Sequence, residues 1–99
     1  MRASFRFSAP VWLYEGPAAW YFVSLPHDCA DEIADVTDGH ARGFGSVPVT
    51  VRIGVTSWTT SVFPDKARQT YVLPVKKSVR AAEGLDEGSV AHVELSIRD

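Results

Sequence analysis

Two strands and the turn between them are encoded in residues 47–63, VPVTVRIGVTSWTTSVF. In the first part, every second residue belongs to an unbroken series of β-branched ones, namely Val47, Val49, Val51, Ile53 and Val55. Because successive side chains of a strand point to opposite faces, one face of this strand is wholly apolar and predicts a buried interior. Residues 54–57 predict a turn, and residues 58–63 predict the next strand.

The same alternation with a period of two continues toward both ends of the chain. Near the N terminus the apolar residues occupy odd positions, namely Phe5, Phe7, Ala9, Val11 and Leu13. Residues 90–97 alternate in the same way, and residues 20–25 and 70–73 are rich in aromatic and β-branched types. Pro10 interrupts the first strand and predicts a bulge or a sheet edge, since proline has no N–H to donate.

A short helix is predicted after the second strand, which ends at the Leu-Pro pair of residues 25–26. Asp28 is positioned to cap this helix, and Gly39 to end it in a left-handed conformation. Residues 39–46 then predict a glycine-rich loop. The apolar face of the helix is predicted to comprise Cys29, Ile33 and Val36.

A second short helix is predicted after the Leu-Pro pair of residues 73–74. Gly84 is its expected stop, with Leu85 as the apolar contact that follows such a cap. Its buried face is predicted to comprise Val75, Val79 and Ala82. The repetition of strand, Leu-Pro, helix, glycine and strand indicates two halves related by a pseudo-twofold axis.

The predicted order is therefore β-β-α-β-β-β-α-β in a mainly β protein. Six strands in 99 residues leave exposed edges unless the sheet closes on itself. We expect a small closed six-stranded β-barrel with two short helices. The length fits one domain, so residues 1–99 are predicted to be a single barrel.

The composition is that of an ordinary globular protein, with 45% hydrophobic residues, 22% charged residues and a net charge of −2. The single cysteine, Cys29, has no partner for an internal disulfide. The N terminus lacks the apolar core of a signal peptide, and no run of about 20 apolar residues occurs. We therefore expect a cytoplasmic protein that does not bind a membrane.

Several spaced motifs carry a family resemblance: TSVFP at 60–64, YVLPVKKSVR at 71–80, Gly84-Leu85 and Gly88. With VSLP at 23–26 ahead of an acidic helix, the chain resembles the bacterial family known as domain of unknown function 1905 (DUF1905) over nearly its whole length. The resemblance implies a small closed β-barrel. It implies no reaction, no cofactor and no catalytic residues.

A narrower resemblance covers residues 71–95. The order of strand, proline, short basic helix, glycine turn and strand is similar to the swapped-hairpin DNA-binding domains of bacterial transition-state regulators and antitoxins. It implies nucleic-acid binding through the helix that contains Lys76 and Arg80.

Charges are strongly segregated along the chain. Five acids and no base lie between residues 28 and 38, namely Asp28, Asp31, Glu32, Asp35 and Asp38. Five bases and no acid lie between residues 66 and 80, namely Lys66, Arg68, Lys76, Lys77 and Arg80. The basic segment fits an anion site for phosphate, nucleic acid or an acidic partner, or a contact with the acidic helix of another copy. It also fits a merely solvated surface.

Nucleic acid is not the favoured partner of the basic segment at this point. The isoelectric point is acidic, near 5.9, and Tyr71 is the one aromatic residue beside the bases in the sequence. A protein partner or a homo-oligomer is favoured over nucleic acid as the interpretation of the segregated charges.

Four aromatic residues flank the predicted hairpin turn at residues 15–17. They occupy even positions and can meet on one face of the hairpin: Trp12, Tyr14, Trp20 and Phe22. Such a face can stack on a ligand. Alternatively, both faces of the hairpin are covered, and the rings only stabilise the sheet as cross-strand pairs.

Catalytic and metal-binding signatures are not evident. The histidines His27, His40 and His92 are scattered, so no metal site and no cofactor are predicted. The favoured interpretation is a non-catalytic binding or interaction domain. The alternatives are a nucleic-acid-binding barrel that uses residues 66–80, and an enzyme or ligand pocket at a barrel mouth with Lys66, Arg68 and His40 as polar groups.

Overall fold

A computed structural model describes residues 4–37 and 45–98, and its elements follow the predicted order. The six strands are β1 (Ser4–Tyr14), β2 (Trp20–Ser24), β3 (Val47–Ile53), β4 (Thr56–Asp65), β5 (Thr70–Pro74) and β6 (Val90–Ile97). The two helices are α1 (His27–Val36) and α2 (Lys77–Glu83). A mainly β fold with two short helices is thereby confirmed.

The strands close into a barrel in the order β1-β2-β5-β4-β3-β6, and β6 returns to β1. Every neighbouring pair is antiparallel. Closure is confirmed, and its physical reason is that each strand finds a hydrogen-bonding partner on both sides, so no edge remains open.

The two long strands, β1 and β4, each pair with two neighbours in succession. Residues up to Pro10 of β1 pair with β6, and Val11 begins the pairing with β2. In β4 the change of partner falls between Val62 and Phe63. Pro10 therefore lies where one ladder ends and the next begins, a position where its missing N–H costs no ladder hydrogen bond.

The strand pairing is unchanged when β1, β2 and β3 are exchanged with β4, β5 and β6, so the topology has the expected twofold relation. The backbone N–H of Leu25 donates to the Tyr71 carbonyl at 3.0 Å, and that of Val75 donates to the Tyr21 carbonyl at 2.9 Å. The structural counterpart of Leu25 is therefore Val75. The repeated Leu-Pro pairs that indicated the two halves are out of register by two residues.

The interior is filled from all six strands and both helices, and its fully buried members include Val11, Val23, Ile33, Val49, Val51, Val62, Leu73, Val79 and Leu95. The strand prediction is wrong at Val55. Val55 is 89% exposed, because β3 ends at Ile53 and residues 54–55 form a two-residue hairpin turn. Gly54 takes the positive φ of 61° that this turn needs.

Helix α1 differs from the prediction at its start and in one residue of its apolar face. Asp28 is not the N-cap: the helix begins at His27, and the Asp28 carboxylate accepts from the Cys29 N–H within the first turn. Ile33 is fully buried and Cys29 half-buried, but Val36 is half-exposed because it is the last helical residue. The predicted stop at Gly39 and most of the loop at 39–46 lie outside the described residues.

Helix α2 ends as expected at Gly84, whose φ of 63° is left-handed. The N–H of the buried Leu85 then donates to the Arg80 carbonyl at 2.9 Å. Val79 is buried, whereas Ala82 faces outward and is a wrong prediction. Val75 is buried but precedes the helix, so its inward direction comes from the end of β5 rather than from helical spacing. Among the described residues, no helix is long and apolar enough to cross a membrane.

Candidate functional site

The β1–β2 hairpin carries an aromatic cluster on its outer face. Trp12 lies opposite Phe22 and Tyr14 opposite Trp20 in the antiparallel register. Phe22 is the centre of the cluster: its ring centroid is 5.1 Å from that of Trp12, 6.5 Å from that of Tyr14 and 6.0 Å from that of Trp20. The Trp20 and Phe22 rings are nearly parallel, at 9°. The structure therefore brings together all four residues singled out in the sequence.

This aromatic face is open within the described part of the chain. Tyr14 is 52% exposed and Trp20 51%, and Phe63 from β4 adds a further ring that is 43% exposed. Together with Trp12, Phe22 and the turn after β4, these residues line a groove of about 610 Å³. We call it the aromatic groove. An open apolar surface of this kind is typical of a binding site in a soluble protein.

One wall of the aromatic groove carries a fixed positive charge. The guanidinium of Arg68 lies 3.9 Å from the centroid of the Trp12 ring, within the range of a cation–π contact. The Asp65 carboxylate holds it in place through a 2.9 Å hydrogen bond from Nη1 and a 3.2 Å bond from the Arg68 backbone N–H. Trp12 is itself oriented by a 2.9 Å bond from its Nε1 to the Ser24 hydroxyl. Lys66 lines the same groove.

The contact with Arg68 predicts an unusually acidic Asp65. Partial burial raises the pKa of this carboxyl, but the hydrogen bonds and charge of Arg68 outweigh burial and hold the pKa below its ordinary value. In Arg68→Gln we expect the Asp65 pKa to rise toward that value, as followed by carboxyl-carbon NMR. Because the pKa of Asp65 is lower in the folded than in the unfolded state, its ionisation stabilises the fold at pH values above the unfolded-state pKa. This stabilisation is lost as the pH falls through the folded-state pKa. An unchanged Asp65 titration in the variant would contradict the contact.

The remaining bases lie beyond Trp20, around a second cavity of about 450 Å³. Its lining includes Trp20, Tyr21, Trp58, Lys76, Lys77 and Arg80. Arg80 lies 3.8 Å from the centroid of the Tyr21 ring, and its Nε donates to the Val75 carbonyl at 3.1 Å. The basic segment thus does not form one patch on helix α2. It divides into two groups on either side of Trp20.

The expectation that only Tyr71 accompanies the bases is wrong. Arg68 lies over Trp12 and Arg80 over Tyr21, although 56 and 59 residues respectively separate them in the chain. The pairing of β2 with β5 brings the aromatic hairpin beside the basic segment. The spacing of residues in the sequence does not predict these two contacts, because they depend on which strands become neighbours in the barrel.

The acids of helix α1 lie beside the start of the basic segment, since Asp31 and Lys66 line one cavity. Asp28, Asp31, Glu32 and Asp35 are exposed, and none forms an ion pair with another described residue. Asp38 lies outside the described residues. The acidic helix therefore borders the basic segment among the described residues but does not pair with its side chains.

Reactive groups are few in the part of the chain that the structure describes. Burial, followed by the charges of Asp28 and Glu32, raises the pKa of the Cys29 thiol, which disfavours a reactive thiolate. No cluster of three potential metal ligands occurs among the described residues. His27 contacts the Arg68 carbonyl at 3.2 Å. His40, the third polar candidate for a barrel-mouth pocket, lies outside the described residues.

A serine–histidine contact was not anticipated from the sequence. Ser8 on β1 and His92 on β6 are cross-strand partners, and the Ser8 hydroxyl lies 2.7 Å from His92 Nδ1. The pair is exposed, and no described carboxylate is hydrogen-bonded to the histidine ring. It therefore lacks the orienting group of a catalytic triad and behaves as a surface cross-strand pair.

Fold and site together define a small closed antiparallel barrel with an open aromatic surface flanked by cations. The family model of domain of unknown function 1905 matches residues 7–95. The chain therefore belongs to this family, whose function its name leaves open. No curated protein matches the chain.

Proposed function

We propose that this protein is a non-catalytic binding domain and that the aromatic groove is its binding site. The observation that carries the proposal is the exposed cluster around Phe22 with Arg68 held over Trp12. Rings that only stabilised the sheet would be covered, whereas Tyr14 and Trp20 each expose about half of their surface. The proposed site of action is the bacterial cytoplasm, where a single unpaired cysteine is ordinary.

A binding role is favoured over catalysis by the chemistry of the groove. Its polar groups are Lys66 and the ion pair of Arg68 with Asp65, and these supply positive charge and hydrogen bonds. A nucleophile with an adjacent general base, as covalent catalysis requires, is not found among the described lining residues. The groove is therefore suited to holding a ligand that has both a flat apolar part and a negative charge.

The anionic aromatic dye 8-anilinonaphthalene-1-sulfonate tests the proposed site. We expect the native protein to enhance its fluorescence and Trp20→Ala to weaken the dye's affinity about two- to tenfold, because one aromatic contact contributes ~0.5–1.5 kcal/mol. Val55→Ala is the matched control, since Val55 is exposed and lines neither cavity. Equal affinities in Trp20→Ala and the native protein would contradict the assignment of the groove.

A further inference from the structure

The aromatic groove and the second cavity are two parts of one surface. Trp20 lines both, so a ligand that crosses its exposed ring contacts Trp12 and Phe22 on one side and Trp58 on the other. We call the combined area the aromatic–cationic surface, defined by the linings of the two cavities. Two open cavities that share one ring favour a ligand long enough to reach both.

The charge of this surface is opposite to that of the whole protein. All five bases of the basic segment line it, against a single acid, Asp65, which is bonded to Arg68. Lys66, Lys76 and Lys77 are exposed and form no ion pair with a described residue. The chain nevertheless has a net charge of −2. Cations concentrated on one face of an acidic protein are complementary to a polyanion.

Flat aromatic rings lie among these cations. Trp20 presents an open face beside the parallel Phe22 ring, and Trp58 lies half-buried on the side of Lys76 and Lys77. Proteins that bind single-stranded nucleic acid combine aromatic rings with a basic groove. The rings stack on the unpaired nucleobases, and lysines contact the phosphates of the nucleotide backbone. We therefore propose that the occupant is single-stranded nucleic acid. This inference rests on the function proposed for the aromatic groove.

A double helix fits the surface less well than a single strand. In a duplex the base faces are stacked on one another and are not available to Trp20 or Trp12. A protein that reads duplex DNA presents an element that enters a groove, whereas here the rings lie on an open barrel face. The surface therefore requires bases that are free to unstack.

The test measures binding of a fluorescein-labelled ten-nucleotide oligodeoxythymidine by anisotropy at several salt concentrations. We expect binding that weakens with salt and a loss of at least about fivefold in Trp20→Ala, since one stacked base contributes that much or more. Lys76→Gln/Lys77→Gln should make the negative slope of log K against log salt shallower by about 1.4, at 0.7 for each lost phosphate contact. Arg6→Gln/Arg52→Gln removes the same charge outside the aromatic–cationic surface and should leave the slope unchanged.

Three results would overturn the inference. The first is no binding of the oligonucleotide at low salt, and the second is binding that Trp20→Ala and the double lysine variant leave unaltered. The third is tighter binding of a duplex of the same length. If the dye binds in a way that depends on Trp20 but the oligonucleotide does not bind, the aromatic groove remains the proposed binding site and nucleic acid is excluded as its ligand. A dimer in sedimentation that Trp20→Ala dissociates would assign the surface to a second copy instead.

Discussion

Leu73→Ala is expected to lower the free energy of unfolding by about 2–5 kcal/mol. Leu73 is completely buried in β5 and faces Val23 across the β2–β5 pair. Truncation removes apolar contacts and leaves a cavity that a closed barrel cannot readily collapse, because each strand is held from both sides. A domain of this size has a total stability of only about 5–15 kcal/mol, so the loss is a large fraction of it.

Urea denaturation measures this loss, with Val55→Ala as the control. This smaller truncation, at the exposed hairpin turn, should change the free energy of unfolding by about 0.5 kcal/mol or less. The thermal midpoint should fall by roughly 4–8 °C for each kcal/mol lost. A cost below about 1 kcal/mol for Leu73→Ala would show that the barrel interior is less tightly packed than described.

Gly54→Ala is expected to destabilise the protein by more than Gly84→Ala, although both glycines have a φ near +60°. Each substitution incurs the left-handed penalty of an L-residue, about 1–2 kcal/mol. At Gly84 a new Cβ meets nothing within 4 Å, whereas at Gly54 it would clash with Oε1 of Glu83. The Glu83 side chain must then move and lose the 2.6 Å hydrogen bond that its Oε2 accepts from Thr56. Complete loss of this hydrogen bond to a charged group would add about 1.5–3 kcal/mol, which is the upper limit of the extra cost at Gly54.

A double-mutant cycle separates the two contributions. In a Glu83→Ala background neither the clash nor the hydrogen bond exists, so Gly54→Ala should cost no more than Gly84→Ala. The measurement is again urea denaturation, on Gly54→Ala, Glu83→Ala and their combination. Equal costs for Gly54→Ala and Gly84→Ala in the otherwise native protein would mean that Glu83 does not fasten helix α2 to the β3–β4 hairpin.

The strands could be predicted because their signal is local. The alternation of apolar and polar residues from Phe5 to Leu13 and over residues 90–97 sets which side chains face inward, whatever the neighbouring strand is. The end of helix α2 at Gly84 could be predicted as well, since the left-handed conformation of a glycine depends only on its local backbone. Errors arose at element ends. Val36, Val55 and Ala82 fit the period of their elements but lie where the elements finish.

The candidate site could be predicted only in part. The four rings of the β1–β2 hairpin meet because a short turn joins two neighbouring strands, and the sequence shows that turn directly. The positions of Arg68 over Trp12 and of Arg80 over Tyr21 could not be foreseen. They depend on the pairing of β2 with β5, which joins segments some 50 residues apart.

By itself, therefore, the sequence determined the number and order of the elements, their inward faces and the closed sheet, since these follow from residue periodicity and from the cost of open strand edges. The tertiary structure alone decided which charges accompany which rings. Barrel closure places β5 beside β2, and this contact divides the bases of the 66–80 segment between the two sides of Trp20. Residues that line a surface assembled from distant strands show no characteristic spacing in the sequence, because the strand order of the barrel, and not sequence distance, makes them neighbours.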